Sequence, residues 1–290
     1  MKHAPPLQPG DSVLITGCSS GIGYHAAHAL NQAGFDVIAS ARKAKDVTRL
    51  QQEGLKSVQL DLDDDTSIAT GFDAALSLCE SGRLRGLFNN GAFGLPGAVE
   101  DLSREALLAQ FHTNVFGTQV LTNHMIAHLR QHPDGGRIVH NSSVLGFAAM
   151  AYRGAYNASK FALEGLADTQ RLELWDEPID VVLIEPGPIT SRFRENAYAA
   201  FQRWIDAEHS AHRAQYEAMI QRLKKEGPAA PFTLGPEAVS DKLLLALTRR
   251  APAARYPVTV PTHAFAWLKR LLPTPLLDRL LLKAGGNGKR

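Results

Sequence analysis

The chain alternates between short apolar runs and longer stretches whose apolar positions recur every three or four residues. The first run, residues 12–16, has a β-branched bias and predicts a buried strand. A helical pattern follows through Ala26, Ala27, Ala29 and Leu30 to Ala33, where Gly34 stops it. Residues 35–41 give the next strand. The alternation then repeats as a helix over 46–52, a strand over 56–60, a helix over 66–78 and a strand over 84–88. A helical region from 103 leads into one long helix over 111–129. A strand over 137–143, a helix around Tyr156 and a strand over 179–184 follow. Each βα step adds a parallel strand with a crossover helix. The predicted fold is therefore α/β: a Rossmann-type doubly wound parallel sheet with helices on both faces.

Beyond residue 190 the pattern changes. Residues 191–226 are mixed in charge and studded with Phe193, Tyr198, Phe201, Trp204, Tyr216 and Met219. They predict one or two helices with an apolar side, as a helical flap over a substrate cleft needs. A dimer-packing arm has the same pattern. This insertion spans about 191–227 within a single domain of 1–290. A Pro-rich linker at 227–231 precedes a helix over 238–247, and 256–260 reads as a last strand with Pro257 near its start. Residues 262–284 form a C-terminal helical tail, two short helices broken at Pro273 and Pro275. Its leucines and aromatics alternate with Lys269, Arg270, Arg279 and Lys283. It can pack on the domain, on a second subunit or on an anionic membrane surface.

Composition adds exclusions. Net charge is only +2, which gives no general field for nucleic acid. From Pro261 onward, however, six Lys or Arg face the single Asp278. The two cysteines, Cys18 and Cys79, lie far apart and suit a reducing compartment, and the N-terminus has no apolar run resembling a secretory signal. These features predict a cytoplasmic protein, with peripheral membrane contact through the tail as a further reading. The 11 histidines are scattered with no metal-ligand spacing, so no metal is expected.

The chemistry gathers at strand ends, where ligands of open α/β sheets lie. Gly17-Cys18-Ser19-Ser20-Gly21-Ile22-Gly23 stands between the first strand and first helix. Glycines there let the backbone approach a pyrophosphate, and the helix N-terminus offers it free amides. After the second strand, where an acid would hold a ribose 2′-hydroxyl, the chain has Arg42 and Lys43. Positive charge there favours NADP(H) over NAD(H). Asp61 ends the third strand and serves either an adenine amino group or its own loop. Asn89, Ser143 and Thr190 end later strands. Tyr156 and Lys160 lie one helical turn apart, which places a phenol beside an ammonium that favours its charged form.

These motifs together resemble the classical short-chain dehydrogenase/reductase family. Thr16 to Gly23 matches its cofactor motif, Ser143, Tyr156 and Lys160 its catalytic serine and Tyr-Lys pair, and Asn114 its catalytic asparagine. Pro186-Gly187 followed by Thr190 matches its nicotinamide-side loop. Segments around Phe88 to Gly94, Ile184 to Ile189 and Arg255 to Thr259 resemble a bacterial branch of NADP-dependent aldehyde reductases, itself similar to retinol and 17β-hydroxysteroid dehydrogenases. The chain departs from the family at Gly91-Ala92, where the two small residues are exchanged. The resemblance adds Leu62, Gly91 and Ile189 to the expected cofactor contacts. It implies reversible reduction of an apolar aldehyde or ketone, with Tyr156 as acid/base, Ser143 holding the carbonyl oxygen and Asn114 holding a water for Lys160. It also implies a homo-oligomer, a dimer or tetramer. The alternatives are a 3-oxoacyl carrier-protein reductase and a non-catalytic NADP-binding sensor or scaffold.

Overall fold

A computed structural model describes residues 2–80, 82–224, 227 and 230–286. Seven parallel strands form one sheet: β1 (Ser12–Ile15), β2 (Asp36–Ala41), β3 (Lys56–Gln59), β4 (Leu84–Asn89), β5 (Gly136–Asn141), β6 (Ile179–Glu185) and β7 (Arg255–Pro257). Their spatial order is β3-β2-β1-β4-β5-β6-β7. The order reverses between β1 and β4, which leaves a crevice beyond their carboxyl ends. The helices are α1 (Gly21–Gln32), α2 (Ala44–Gln52), α3 (Asp65–Leu78), α4 (Arg104–Phe111), α5 (Thr118–Leu129), α6 (Gly154–Glu173), α7 (Phe193–Trp204), α8 (Arg213–Lys224), α9 (Glu237–Thr248), α10 (Val260–Leu271) and α11 (Thr274–Ala284).

The apolar runs are continuous because both faces of the sheet are covered. Val13, Ile15, Val182 and Ile184 face one core with Leu30, Val239 and Leu243 of α1 and α9. Leu14, Val181 and Leu183 face the other with Phe72, Leu121 and Ala167 of α3, α5 and α6. The doubly wound sheet expected from the alternation is the observed one.

Three boundaries differ from expectation. The helix read over 111–129 is interrupted by a π-helical segment, His112–Gly117. A Cβ on Gly117 would lie 1.7 Å from the Leu62 carbonyl oxygen, so this turn is shaped by a close backbone approach. The last strand stops at Pro257 on the sheet edge, where a missing N–H is tolerated, and α10 already begins at Val260 with Pro261 in its first turn. Pro275 likewise sits in the first turn of α11 and starts that helix, so only Pro273 separates the tail helices.

The insertion forms α7 and α8, which pack on Leu95, Ala98, Ala106 and Ala155 in a third apolar cluster. Tyr216 donates to Asp101 and Ala98 N–H donates to the Tyr216 hydroxyl, which ties α8 to the loop before α4. Lys225 and Glu226 of the expected flap, and Pro228 and Ala229 of the expected linker, lie outside the described residues. In the tail, Phe265, Leu268, Leu277 and Leu281 pack on Val144, Leu145 and Ala148, so it rests on its own domain. Among the described residues no helix is long and apolar enough to cross a membrane.

The amino edge of the sheet is tied by charge. Arg137 is fully buried. It donates to the carbonyls of Ala246 (2.6 Å), Arg249 (2.6 Å) and Ala4 (3.1 Å), and its Nε lies 3.4 Å from Asp180. One guanidinium thus joins the N-terminal segment, β5, β6 and the end of α9. Arg137→Ala is expected to lower the unfolding free energy by about 3–5 kcal/mol, because Asp180 stays buried without its cation. Urea titration followed by circular dichroism measures it.

Candidate active site

Ser20 caps α1 in extended conformation without using its side chain, and the first turn holds no acid. The first amides of a twelve-residue helix therefore remain free toward the crevice. Gly17 has φ +72°, and a Cβ on it would meet Gly91 Cα at 2.8 Å. A Cβ on Gly23 would lie 2.5 Å from both Asn90 Nδ2 and the Gly17 carbonyl oxygen. The loop is a cradle that side chains would fill, and this fits the close passage of a dinucleotide pyrophosphate. Ser19 gives its carbonyl to Arg49 (2.7 Å), whose guanidinium also lies over the Tyr24 ring. Ile22 packs against the core below.

Arg42 and Lys43 are exposed at the end of β2. Asp61 caps its own loop, accepting from Asp63 N–H at 3.1 Å. Leu62 is buried, and a Cβ on Gly91 would meet it at 2.9 Å. Asn89 turns its side chain inward to Thr122 Oγ1 (2.9 Å), so only its backbone reaches the strand end. The pin across the crevice is Asn90, which the sequence reading did not single out as a site residue. Thr16 Oγ1 accepts from the amides of Asn90 and Gly91, both at 2.9 Å. Asn90 Nδ2 donates to the Thr16 carbonyl (2.9 Å), and Asn141 donates to Asn90 Oδ1 (2.9 Å). The doubled asparagine was the available signal.

Ser143 follows β5; its hydroxyl accepts from Leu145 N–H (3.1 Å) and is 3.5 Å from the Pro186 carbonyl. The loop 186–190 is fixed from two sides. A Cβ on Gly187 would meet Thr259 Oγ1 at 2.1 Å, and Ile189 and Thr190 run beside Leu234. Lys160 is buried and donates to the Asn141 carbonyl at 2.6 Å, with its Nζ 5.8 Å from the centroid of the Tyr156 ring. The Tyr156 ring meets Phe193 edge-on, centroids 5.3 Å apart. Asn114, in the π-segment, commits its side chain to Phe93 N–H and carbonyl and to Ser159.

The electrostatics correct one expectation. Lys160 does not hold Tyr156 as a tyrosinate here. Burial pushes the phenol up to about 12, against weaker pulls from Ser143 and Arg153. Burial also brings Lys160 down to about 8, with Glu164 acting to raise it. At neutral pH the pair is a neutral phenol beside an ammonium: a proton donor with a cation behind it.

Known proteins carry the same arrangement of sequence. The family model described as short chain dehydrogenase matches residues 11–201. The uncharacterized oxidoreductase YbbO of Escherichia coli strain K12 is 42% identical over 270 residues, 93% of each chain. Human 17-beta-hydroxysteroid dehydrogenase type 1 is 32% identical over 259 residues, 84% of this chain and 76% of its own. A short chain dehydrogenase/reductase from Burkholderia phymatum, solved in complex with NAD, superposes with a TM-score of 0.74 at 22% identity, covering 93% of this chain and 94% of that one, which shows a shared fold. With its sheet order, its glycine cradle and its family match in agreement, the chain belongs to the short-chain dehydrogenase/reductase family of oxidoreductases.

Proposed function

We propose that this protein is an NADP(H)-dependent reductase that converts an apolar aldehyde or ketone to its alcohol, and works in reverse on the alcohol. The observation that carries the reading is Ser143, Tyr156 and Lys160 gathered at the carboxyl edge of the sheet under an apolar roof. That roof combines Phe193 from α7 with Phe147, Met150, Phe265 and Leu277 from the loop after β5 and the tail. Such a lining suits an apolar substrate with one polar end.

Gly17, Ser19, Ser20, Gly21, Ile22 and Gly23 would hold the pyrophosphate. Arg42 and Lys43 would pair with a 2′-phosphate, since β2 ends without an acid and Asp46 is the first one after it. Asp61 and Leu62 border the adenine side, Asn89 and Gly91 the passage between strands. Pro186, Gly187, Ile189 and Thr190 would face the nicotinamide. Bound there, NADPH supplies the hydride.

The chain's own residues do the rest. The Ser143 hydroxyl hydrogen-bonds the carbonyl oxygen and fixes its position. The Tyr156 phenol, protonated at neutral pH, gives that oxygen a proton. The Lys160 ammonium stabilises the phenolate this leaves, and it would hold the ribose hydroxyls of the bound cofactor. Asn114, its side chain committed to Phe93 and Ser159, would hold through its backbone the water that links Lys160 to solvent. For oxidation of the alcohol, Tyr156 takes the proton back.

Two further parts of the reading concern partners. Phe116, Phe161, Leu166, Leu172 and Trp175 expose apolar surface on and beside α6 and the π-segment, which supports homo-oligomer formation there. On the tail, Val260, Trp267, Leu271, Leu276 and Leu280 are exposed among Lys269, Arg270, Arg279 and Lys283, which supports peripheral contact with an anionic membrane.

The primary test follows NADPH oxidation by absorbance with a panel of aldehydes and ketones, in parallel with NADH. Turnover of apolar carbonyls with NADPH is expected, and no turnover of any carbonyl would sink the reading. Tyr156→Phe is expected to lower kcat by about 10²–10⁴-fold with little change in NADPH affinity, read by steady-state kinetics and fluorescence titration. Arg42→Ala is expected to weaken NADPH binding by about tenfold to a hundredfold while NADH binding is unchanged. Equal loss for both cofactors would refute the 2′-phosphate role.

A further inference from the structure

Behind Lys160 lies a buried charge cluster that the proposed reaction does not use. Glu164 stands one turn along α6 from Lys160, so both side chains share a helix face. Both are buried. Glu164 Oε2 accepts from Arg255 Nη2 (2.9 Å) and Nε (3.2 Å). Arg255, on β7, also reaches Asp168 (2.7 Å) and Glu185 (3.2 Å). Three carboxylates thus converge on one guanidinium. Glu164 Oε1 has no hydrogen-bond partner among the described residues. It lies against Gly146, where an added Cβ would come within 3.1 Å of it and 2.7 Å of Ser142 Oγ. Ser142 sits between Asn141, whose carbonyl takes Lys160, and Ser143. One carboxylate oxygen is therefore anchored by Arg255. The other carries charge at the back of the segment that presents the catalytic groups.

We infer that Glu164 is a positioning residue for Lys160: its Arg255-anchored carboxylate supplies the buried negative charge that keeps Lys160 an ammonium in the working pH range. This rests on the reading of Lys160 as the residue that serves Tyr156 and the cofactor ribose. The groups around Lys160 leave Glu164 as the source of that charge. From β5, His140 is buried and lowered to about 3 by burial and then by the Lys160 charge, so it is neutral in the working range. From its own helix, Tyr156 is neutral at neutral pH and Arg153 is a cation. From β6, Glu185 is pushed up to about 7 by burial and by Glu164 itself, so it is partly protonated near neutrality. Arg255 from β7 and Arg270 from α10 are cations. Asp168 lies one turn further along α6, more exposed and shared with Arg171. Burial alone would take the lysine further down than about 8, and Glu164 is what opposes it.

The sign follows. The ammonium is present below the lysine pKa and lost above it. Removing the Glu164 charge lowers that pKa, so the alkaline limb of activity moves toward acid. Glu164→Gln keeps the size of the side chain and a carbonyl that can accept from Arg255, and removes the charge while turning one acceptor oxygen into an NH2 donor. For NADPH-dependent reduction, kcat/KM is measured from about pH 6 to about pH 10 in wild type, Glu164→Gln, Glu164→Asp and Asp168→Asn. NADPH affinity by fluorescence over the same range is the readout independent of turnover. The Glu164→Gln limb is expected about one pH unit below wild type in both readouts, with roughly tenfold lower activity on the alkaline side. Glu164→Asp, which keeps the charge, is expected to hold the wild-type limb, as is Asp168→Asn. A Glu164→Gln limb that coincides with wild type overturns the inference. So does a limb displaced equally in Asp168→Asn, since that would make disturbance of Arg255 the cause. If Glu164→Gln loses its cooperative thermal transition, Glu164→Asp decides: a wild-type limb supports the inference, and a limb moved to acid despite the retained charge overturns it. Absence of turnover in the wild type would instead refute the proposed function.

Discussion

The site depends on the contact between two strand ends at the place where the sheet order reverses. β1 and β4 are neighbours in space but not in sequence, and their onward helices leave in opposite directions. The Thr16 hydroxyl holds the backbone of Asn90 and Gly91, and Asn90 returns a bond to the Thr16 carbonyl. Asn141 extends the same line to β5 and lends its carbonyl to Lys160. The glycine loop and Lys160 are thus positioned by one continuous run of short hydrogen bonds. A glycine loop alone would not be held open at the right width. Thr16 and Asn90 set that width, and Gly23 accepts it at the cost of any side chain.

The two edges of the sheet solve opposite problems. At the amino edge, charges are paired tightly: Arg137 with Asp180, Arg85 with Asp11, and Lys56 with Asp36. These pairs join segments distant in sequence. At the carboxyl edge, Asn89 Oδ1, His140 Nε2, Asn141 Oδ1, Ser142 Oγ and Glu164 Oε1 are buried without hydrogen-bond partners among the described residues. Buried polar groups left in this state are costly. At the amino edge Arg85 Nε and Arg137 Nε are in the same state, but other nitrogens of both guanidiniums are hydrogen-bonded.

Much of this was legible in the sequence because buried parallel strands leave continuous apolar runs, while turns between them carry glycine and hydroxyl residues. The strand ends therefore announced themselves, and with them Gly17, Ser143, Tyr156 and Lys160. What stayed hidden depends on through-space packing. The π-segment around Asn114 arises from the approach of Leu62 to Gly117, and nothing in the helical pattern encodes it. Asn89 and Asn90 are adjacent and chemically identical, so only the fold decides that one turns inward and the other crosses the crevice. The protonation balance of Tyr156 is hidden for a related reason. Spacing brings a lysine near a tyrosine, but burial, which is a property of the whole roof, dominates the balance.

The edge-on contact between Phe193 and Tyr156 has a thermodynamic meaning. Phe193 begins α7, and its ring also fills the space beside Gly94, where a Cβ would meet it at 2.5 Å. Under the proposed function, this ring from the protein's own chain would stand where a carbonyl approaches the phenol, as a tethered competitor. The observed dissociation constant would then be the intrinsic one divided by the fraction of molecules in which the ring has moved aside. Compounds that replace its apolar contact would recover that penalty and small polar carbonyls would not, so the resting state would itself filter substrates by size and polarity.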